Sequence, residues 1–157
     1  IFEGRQLLGL PSCKVANLGV GYFQQGGRVF PSLTVLENLN FTARHIKQNE
    51  RKIRLEELKV WFELLQKDDR TRLKSSYLSG GEKHQLALAM VLLQKPRFLI
   101  LDEPSAGLSP ANQTAIYDIL KKIRKEENLT MMVIEQNVEL ANKFIDSKQI
   151  LDTGVFI

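Results

Sequence analysis

The hexapeptide Phe98-Leu99-Ile100-Leu101-Asp102-Glu103 carries more architectural information than any other in the chain. Four apolar residues without a polar interruption have the pattern of a parallel strand buried on both faces. Two carboxylates then emerge at its C-terminal end, where open α/β sheets bind ligands. Adjacent acids at such an edge can divide labour. Asp102 can hold Mg²⁺, usually through water, and Glu103 can polarise a water for attack on a γ-phosphate. A strand ending at solvent with two hydrated acids would look the same taken alone.

Downstream of this run, Ser109-Pro110 makes an N-cap and N1-proline pair. Ile116, Ile119, Leu120 and Ile123 follow at helical spacing. Thr130 to Ile134 reads as another buried strand, Asn137 caps a helix to about Ile145, and Gln149 to Leu151 reads as a last short strand. Strand, helix, strand, helix, strand is the order of a parallel sheet with crossover helices. Upstream, Gly9-Leu10-Pro11-Ser12 opens a short helix that ends near Gly19, and Val20 to Phe23 reads as a strand. Gln24-Gln25-Gly26-Gly27 is a loop, because paired glycines punctuate regular structure. The stretch between is helical. Thr34 and Glu37 form a T-x-x-E capping box for a helix to about Ile46, and a surface helix over roughly 50–66 carries Leu58, Trp61, Phe62 and Leu65 on one face. Lys74 to Tyr77 is a loop, and a mostly apolar helix from Glu82 to Gln94 is stopped by Pro96.

The second informative stretch is Leu78-Ser79-Gly80-Gly81-Glu82. A helix begins here, so free backbone N–H groups and the positive end of its dipole point outward. Gly80 and Gly81 remove side chains that would block a close approach, and Ser79 adds a hydroxyl donor. Together they suit a phosphate. Alone, they fit a serine N-cap before a core helix better than a phosphate site.

Composition narrows the class. The chain has 157 residues, 43% hydrophobic and 25% charged, values of a globular domain rather than a disordered tail or a disulfide miniprotein. The longest apolar stretch, Leu86 to Leu93, has eight residues, well short of the about 20 needed to span a bilayer. The net charge of +4 fits contact with phosphates, nucleic acid or an acidic membrane face, but it is also common in plain globular domains, the reading favoured here. Cys13 is the only cysteine, so no internal disulfide forms and a reducing compartment is expected. His45 and His84 lack metal-ligand spacing and are expected on helix faces. No aromatic-plus-basic stacking surface points to nucleic acid.

LSGGE lies about twenty residues before the apolar run with its acid pair, with a buried helix between. That combination resembles the ATPase domain of the ABC (ATP-binding cassette) proteins. Leu78 to Glu82 matches the family's signature and Phe98 to Glu103 its Walker B strand. Pro104 to Pro110 stands at its D-loop, and Gln25 at its Q-loop. The resemblance implies an α/β fold with a P-loop-NTPase-like parallel sheet core over about 1–31 and 95–157. A helical subdomain carrying the signature would span about 32–94. Gly27 to Leu39 and Val133 to Val138 resemble the ATPase subunits of branched-chain amino-acid importers. Related subunits for urea, short amides or lipopolysaccharide export share parts of both segments.

The resemblance further implies ATP and Mg²⁺ as ligands. A second ATPase subunit and membrane-spanning permease subunits would be the partners, with the chain peripheral on the cytoplasmic face of the cell membrane. Ser79, Gly80 and Gly81 would touch the γ-phosphate of ATP held by the partner. Asp102, Gln25, Glu103 and Gln136 would serve ATP on their own subunit, Asp102 and Gln25 through the metal. Three departures stand out. No G-x-x-x-x-G-K-[ST] stretch occurs, so the family domain is expected to be incomplete at its N-terminus and the chain alone inactive; a non-catalytic interaction fragment is the rival reading. Gln136 stands where most members have a switch histidine, and an amide cannot carry that proton. Ser109 replaces the usual D-loop Asp.

Overall fold

The computed structural model describes residues 1–152 and 155–156. At its centre is a parallel sheet of β1 (Val20–Phe23), β2 (Phe98–Asp102) and β3 (Thr130–Ile134), in that order. The register aligns Phe23, Leu101 and Val133 across the three strands. All three C-terminal ends therefore open on one edge. Side chains at aligned positions share a face, because the strand period is two. One face carries Phe23, Leu99 and Leu101, all buried, with Met131 and Val133 packed beside them.

The longer helices that connect the strands cover that face. α1 (Ser12–Asn17) precedes β1, and α2 (Val35–Thr42), α3 (Gln48–Lys59), α4 (Asp68–Arg72) and α5 (Gly80–Leu92) lie between β1 and β2. α6 (Pro110–Glu127) links β2 to β3, and α7 (Val138–Asn142) follows. α5 supplies Leu86, Leu88 and Leu92, and α6 supplies Ile116, Leu120 and Ile123, to one continuous core. Thr34 caps α2 through the expected box with Glu37. Within this helical stretch, buried Asn38 donates to the carbonyls of Phe30 at 3.1 Å and Thr34 at 2.8 Å, holding the turn before α2.

Several expectations need correction. β2 is buried on one face only: Leu99 and Leu101 are fully covered, but Phe98 and Ile100 are half-buried. Their face is covered by Phe2 at its lower end, whose ring lies 6.0 Å from that of Phe98, and it leaves Tyr22, Met132 and Ile134 exposed. β3 is an edge strand, exposed along this same face rather than buried. The helix expected over 50–66 stops at Lys59. Phe62 is extended, with φ −114° and ψ 103°, and a 3₁₀ turn, Glu63–Leu65, follows. The break drives Phe62, Leu64 and Leu65 inward together, which one continuous helical stripe would not do. Ser75–Tyr77 is a 3₁₀ turn rather than open loop, and α7 ends three residues before Ile145. The last strand lies outside the parallel sheet: β4 (Leu151–Asp152) pairs antiparallel with β5 (Val155–Phe156). Ser109 precedes α6 with Pro110 at N1, but its side chain makes no capping bond. His84 lies on a helix face as expected, and that face of α5 is buried.

A buried arginine ties the helical stretch to the sheet core. Arg54 on α3, 5% exposed, donates twice to the Leu92 carbonyl at the end of α5, at 3.1 and 3.0 Å. It also reaches Glu57 at 2.9 Å and, with two nitrogens, Glu127 at the end of α6. Burial works against its charge, and the two carboxylates outweigh burial, so its pKa moves up. Removing one member of such a cluster leaves the others desolvated and unpaired. Arg54→Ala is expected to lower unfolding stability by about 3 kcal/mol, read from urea denaturation.

Burial pushes the His84 pKa below its ordinary value, with the Gly80 carbonyl pulling the other way more weakly. The fold therefore favours neutral His84, while the unfolded chain takes up a proton near its ordinary pKa of about 6.5. Stability from this site is present above that pH and declines as pH falls below it. Denaturation midpoints measured between about pH 7 and 5 are expected to fall in the parent and to flatten in His84→Gln.

Candidate functional site

Parallel pairing delivers three loop starts to one edge, and four of the expected residues meet there. Gln25 follows β1, Asp102 and Glu103 end β2, and Gln136 follows β3. The Glu103 carboxylate accepts from both amides: Oε2 from Gln25 Nε2, and Oε1 from Gln136 Nε2. Glu103 has a left-handed backbone, φ 43°, unusual for a side chain of its size. Its N–H donates to the Ile134 carbonyl at 2.8 Å, which holds the turn against β3. The strained residue is thus the one on which the other two converge.

Asp102 lies beside this cluster. Its Oδ2 accepts from the Tyr22 hydroxyl at 2.7 Å. That bond, reinforced by desolvation and by the carboxylate's charge, raises the Tyr22 pKa. Sequence reasoning missed Tyr22. The available signal was register: Tyr22 aligns with Ile100 and so shares the Asp102 face of the sheet.

The donor set suits a small hard cation. With its Nε2 engaged by Glu103, Gln25 has its Oε1 left, and Asp102 has its second carboxylate oxygen. Among the described residues no cluster of three or more His, Cys, Asp or Glu could cage a metal alone. One carboxylate and one amide oxygen match Mg²⁺, which keeps waters and completes its shell with substrate phosphates.

The Ser79 tip forms a second unit. Ser79 is the N-cap of α5: its Oγ accepts from Glu82 N–H at 3.3 Å, and Glu82 accepts from Ser79 N–H at 2.9 Å. Arg70 pairs with Glu82 from α4. Ser79 and Gly80 are exposed, whereas Gly81 is buried against Asn112 of α6. A Cβ on Gly81 would sit 2.8 Å from the Asn112 amide nitrogen. Among the described residues no hydrogen bond joins this tip to the acid edge. The two are linked through packing, because the Gln25 loop rests on α5: a Cβ on Gly27 would sit 3.2 Å from His84 Cα.

The chain belongs to the ABC transporter family, whose model matches residues 1–106. It is 33% identical over 153 residues to the high-affinity branched-chain amino acid transport ATP-binding protein BraG of Pseudomonas aeruginosa, covering 98% of this chain and 64% of that protein. It is 36% identical over 152 residues to a probable branched-chain amino acid transport ATP-binding protein, LivF, of Archaeoglobus fulgidus, covering 97% and 64%. The chain thus spans just under two thirds of these relatives' length. Among solved structures, an ABC transporter's ATP-binding cassette in its ADP conformation superposes with a TM-score of 0.83 at 20% identity, covering 99% of this chain and 66% of that one. A dimeric cassette in a post-hydrolysis state, bound to ADP and Pi, superposes with a TM-score of 0.68 at 25% identity, covering 85% and 60%. No helix among the described residues is long and apolar enough to cross a membrane.

Gly26 and Gly27 both have positive φ, 79° and 58°. Only Gly27 also lacks room for a side chain. Gly26→Ala is expected to cost about 1 kcal/mol from backbone strain alone. Gly27→Ala should cost at least about twice that, since α5 must give way. Parallel chemical denaturation of the two variants checks the difference.

Proposed function

We propose that the chain is part of the ATP-binding and hydrolysing subunit of an ABC transporter that energises import of branched-chain amino acids or a similar small solute. The observation that carries this reading is the Glu103 carboxylate bracketed by the Gln25 and Gln136 amides at the C-terminal edge of a parallel sheet. Glu103 accepts a proton from the attacking water as general base. Gln136 uses one N–H to orient Glu103 and has a second to offer a γ-phosphate oxygen. Asp102 and Gln25 are the residues that would hold Mg²⁺. When bound, that ion neutralises charge on the phosphates.

Ser79 and Gly80 present the start of α5 to the phosphate of a nucleotide held by a second ATPase subunit. Gly81, beneath Asn112, acts by admitting the close approach of α6. In this reading 32–94 is the helical subdomain and contacts permease subunits, with the assembly peripheral on the cytoplasmic face of the membrane. The amino-acid substrate rests on the likeness to the two branched-chain relatives. Other relatives, at 29% identity, are named for methionine import and for lipoprotein release, and either is the second reading.

No G-x-x-x-x-G-K-[ST] loop occurs in the 157 residues, so these residues alone are expected to turn over no ATP. In the full-length protein, Glu103→Gln is expected to keep ATP binding, lower hydrolysis by about 100-fold or more, and leave an ATP-held dimer visible by size exclusion. Turnover close to the parent rate would overturn the role of Glu103. Uptake of labelled leucine against methionine by membrane vesicles carrying the assembled transporter separates the substrates.

A further inference from the structure

Glu135 is the most densely bonded acid among the described residues, and the chemistry above does not use it. Its Oε2 accepts from the Ser105 hydroxyl at 2.7 Å and the Tyr117 hydroxyl at 3.0 Å. Its Oε1 accepts from the backbone N–H groups of Gln136 at 3.0 Å and Asn137 at 3.1 Å. Ser105 and Tyr117 are buried, 2% and 3% exposed. Among the described residues no Lys, Arg or His pairs with Glu135, so four neutral donors satisfy it instead.

The four donors come from three elements. Ser105 lies two residues after Glu103, in the turn that leaves β2. Tyr117 lies on α6, its ring set edge-on to Phe144 at 5.4 Å. Gln136 and Asn137 form the loop that leaves β3. Besides its bonds to Glu135, the loop is held by the Gln136 amide on Glu103 and by Asn137 capping α7. Gln136, Asn137 and Val138 are exposed, and the five-residue α7 contributes no buried residue. Burial, then the nearby Glu135 charge and its hydrogen bond, raise the Tyr117 pKa above its ordinary value, so the phenol stays a donor.

We propose that Glu135 is a positioning residue: its carboxylate fastens the Gln136 loop to the turn after β2, and so sets the Gln136 amide against Glu103. The catalytic consequence rests on the roles given above to Glu103 and Gln136; the fastening does not. A glutamine at 135 retains an oxygen for the two backbone N–H groups, whereas an alanine retains nothing.

Two measurements on the full-length protein test this. In Glu135→Ala, amide hydrogens of Gln136 and Asn137 should exchange at least about 10-fold faster. Those of Leu99 and Ile100 should not change, and Glu135→Gln should stay within about 3-fold of the parent. In ATP hydrolysis, Glu135→Ala should lower kcat about 10-fold with KM within about 2-fold, and Glu135→Gln should restore most of it. Added to Gln136→Ala, the alanine at 135 should change kcat by less than about 2-fold, because it acts through a side chain already gone. Unchanged exchange at Gln136 and Asn137, or a full further loss in the double variant, would overturn the proposal. If Gln136→Ala alone leaves kcat unchanged, the role given to Gln136 falls, and the exchange result still decides the fastening.

Discussion

The structure depends on β2 pairing in parallel with a strand on each side. Its register places Phe23, Leu101 and Val133 side by side, so the next residues of each strand leave the sheet at one level. Residues separated by 78 and 33 positions, Gln25 and Gln136, thereby reach the same carboxylate. An antiparallel neighbour would have sent one of them to the opposite edge. The apolar content of Phe98–Leu101 thus does more than fill a core. It fixes the strand on which two amides and two acids are gathered.

The remaining architecture supports that edge from below. α5 packs beneath β1, and its first turn also presents the Ser79 tip, so one helix serves both units. Gly27 touches α5 at His84 and sets the height of the Gln25 loop. Arg54 closes the far end, where α3, the end of α5 and the end of α6 converge on a single guanidinium. The helical stretch is therefore pinned to the core at the end of α5 opposite the Ser79 tip.

Much of this was legible in the residues because local chemistry and tertiary need agree. Thr34 and Glu37 announce a capping box and form one. The acid pair stands where an apolar run ends, and Gln25 follows the strand beside it. What failed did so for identifiable reasons. Trp61, Phe62 and Leu65 satisfy helical spacing, yet the chain bends at Phe62, where burial of three side chains at once outweighs helical continuity. β2 and β3 read as buried because each carries a run of four apolar residues; how much of a second face is covered depends on packing partners that periodicity cannot reveal. Tyr22, Ser105, Tyr117 and Glu135 went unread because each matters only through a partner brought near by strand register or helix packing.

The cap of α5 has a consequence for charge. Glu82 fastens the start of the helix, but an anionic group in the first turn would by itself cancel the electropositive end and repel any incoming oxyanion. Arg70 returns that charge from a separate short helix twelve residues earlier. Mechanical anchoring and electrostatic polarity are thereby uncoupled: the acid can tighten the tip without deciding its field, and the sign that an approaching polyanion meets is set from α4.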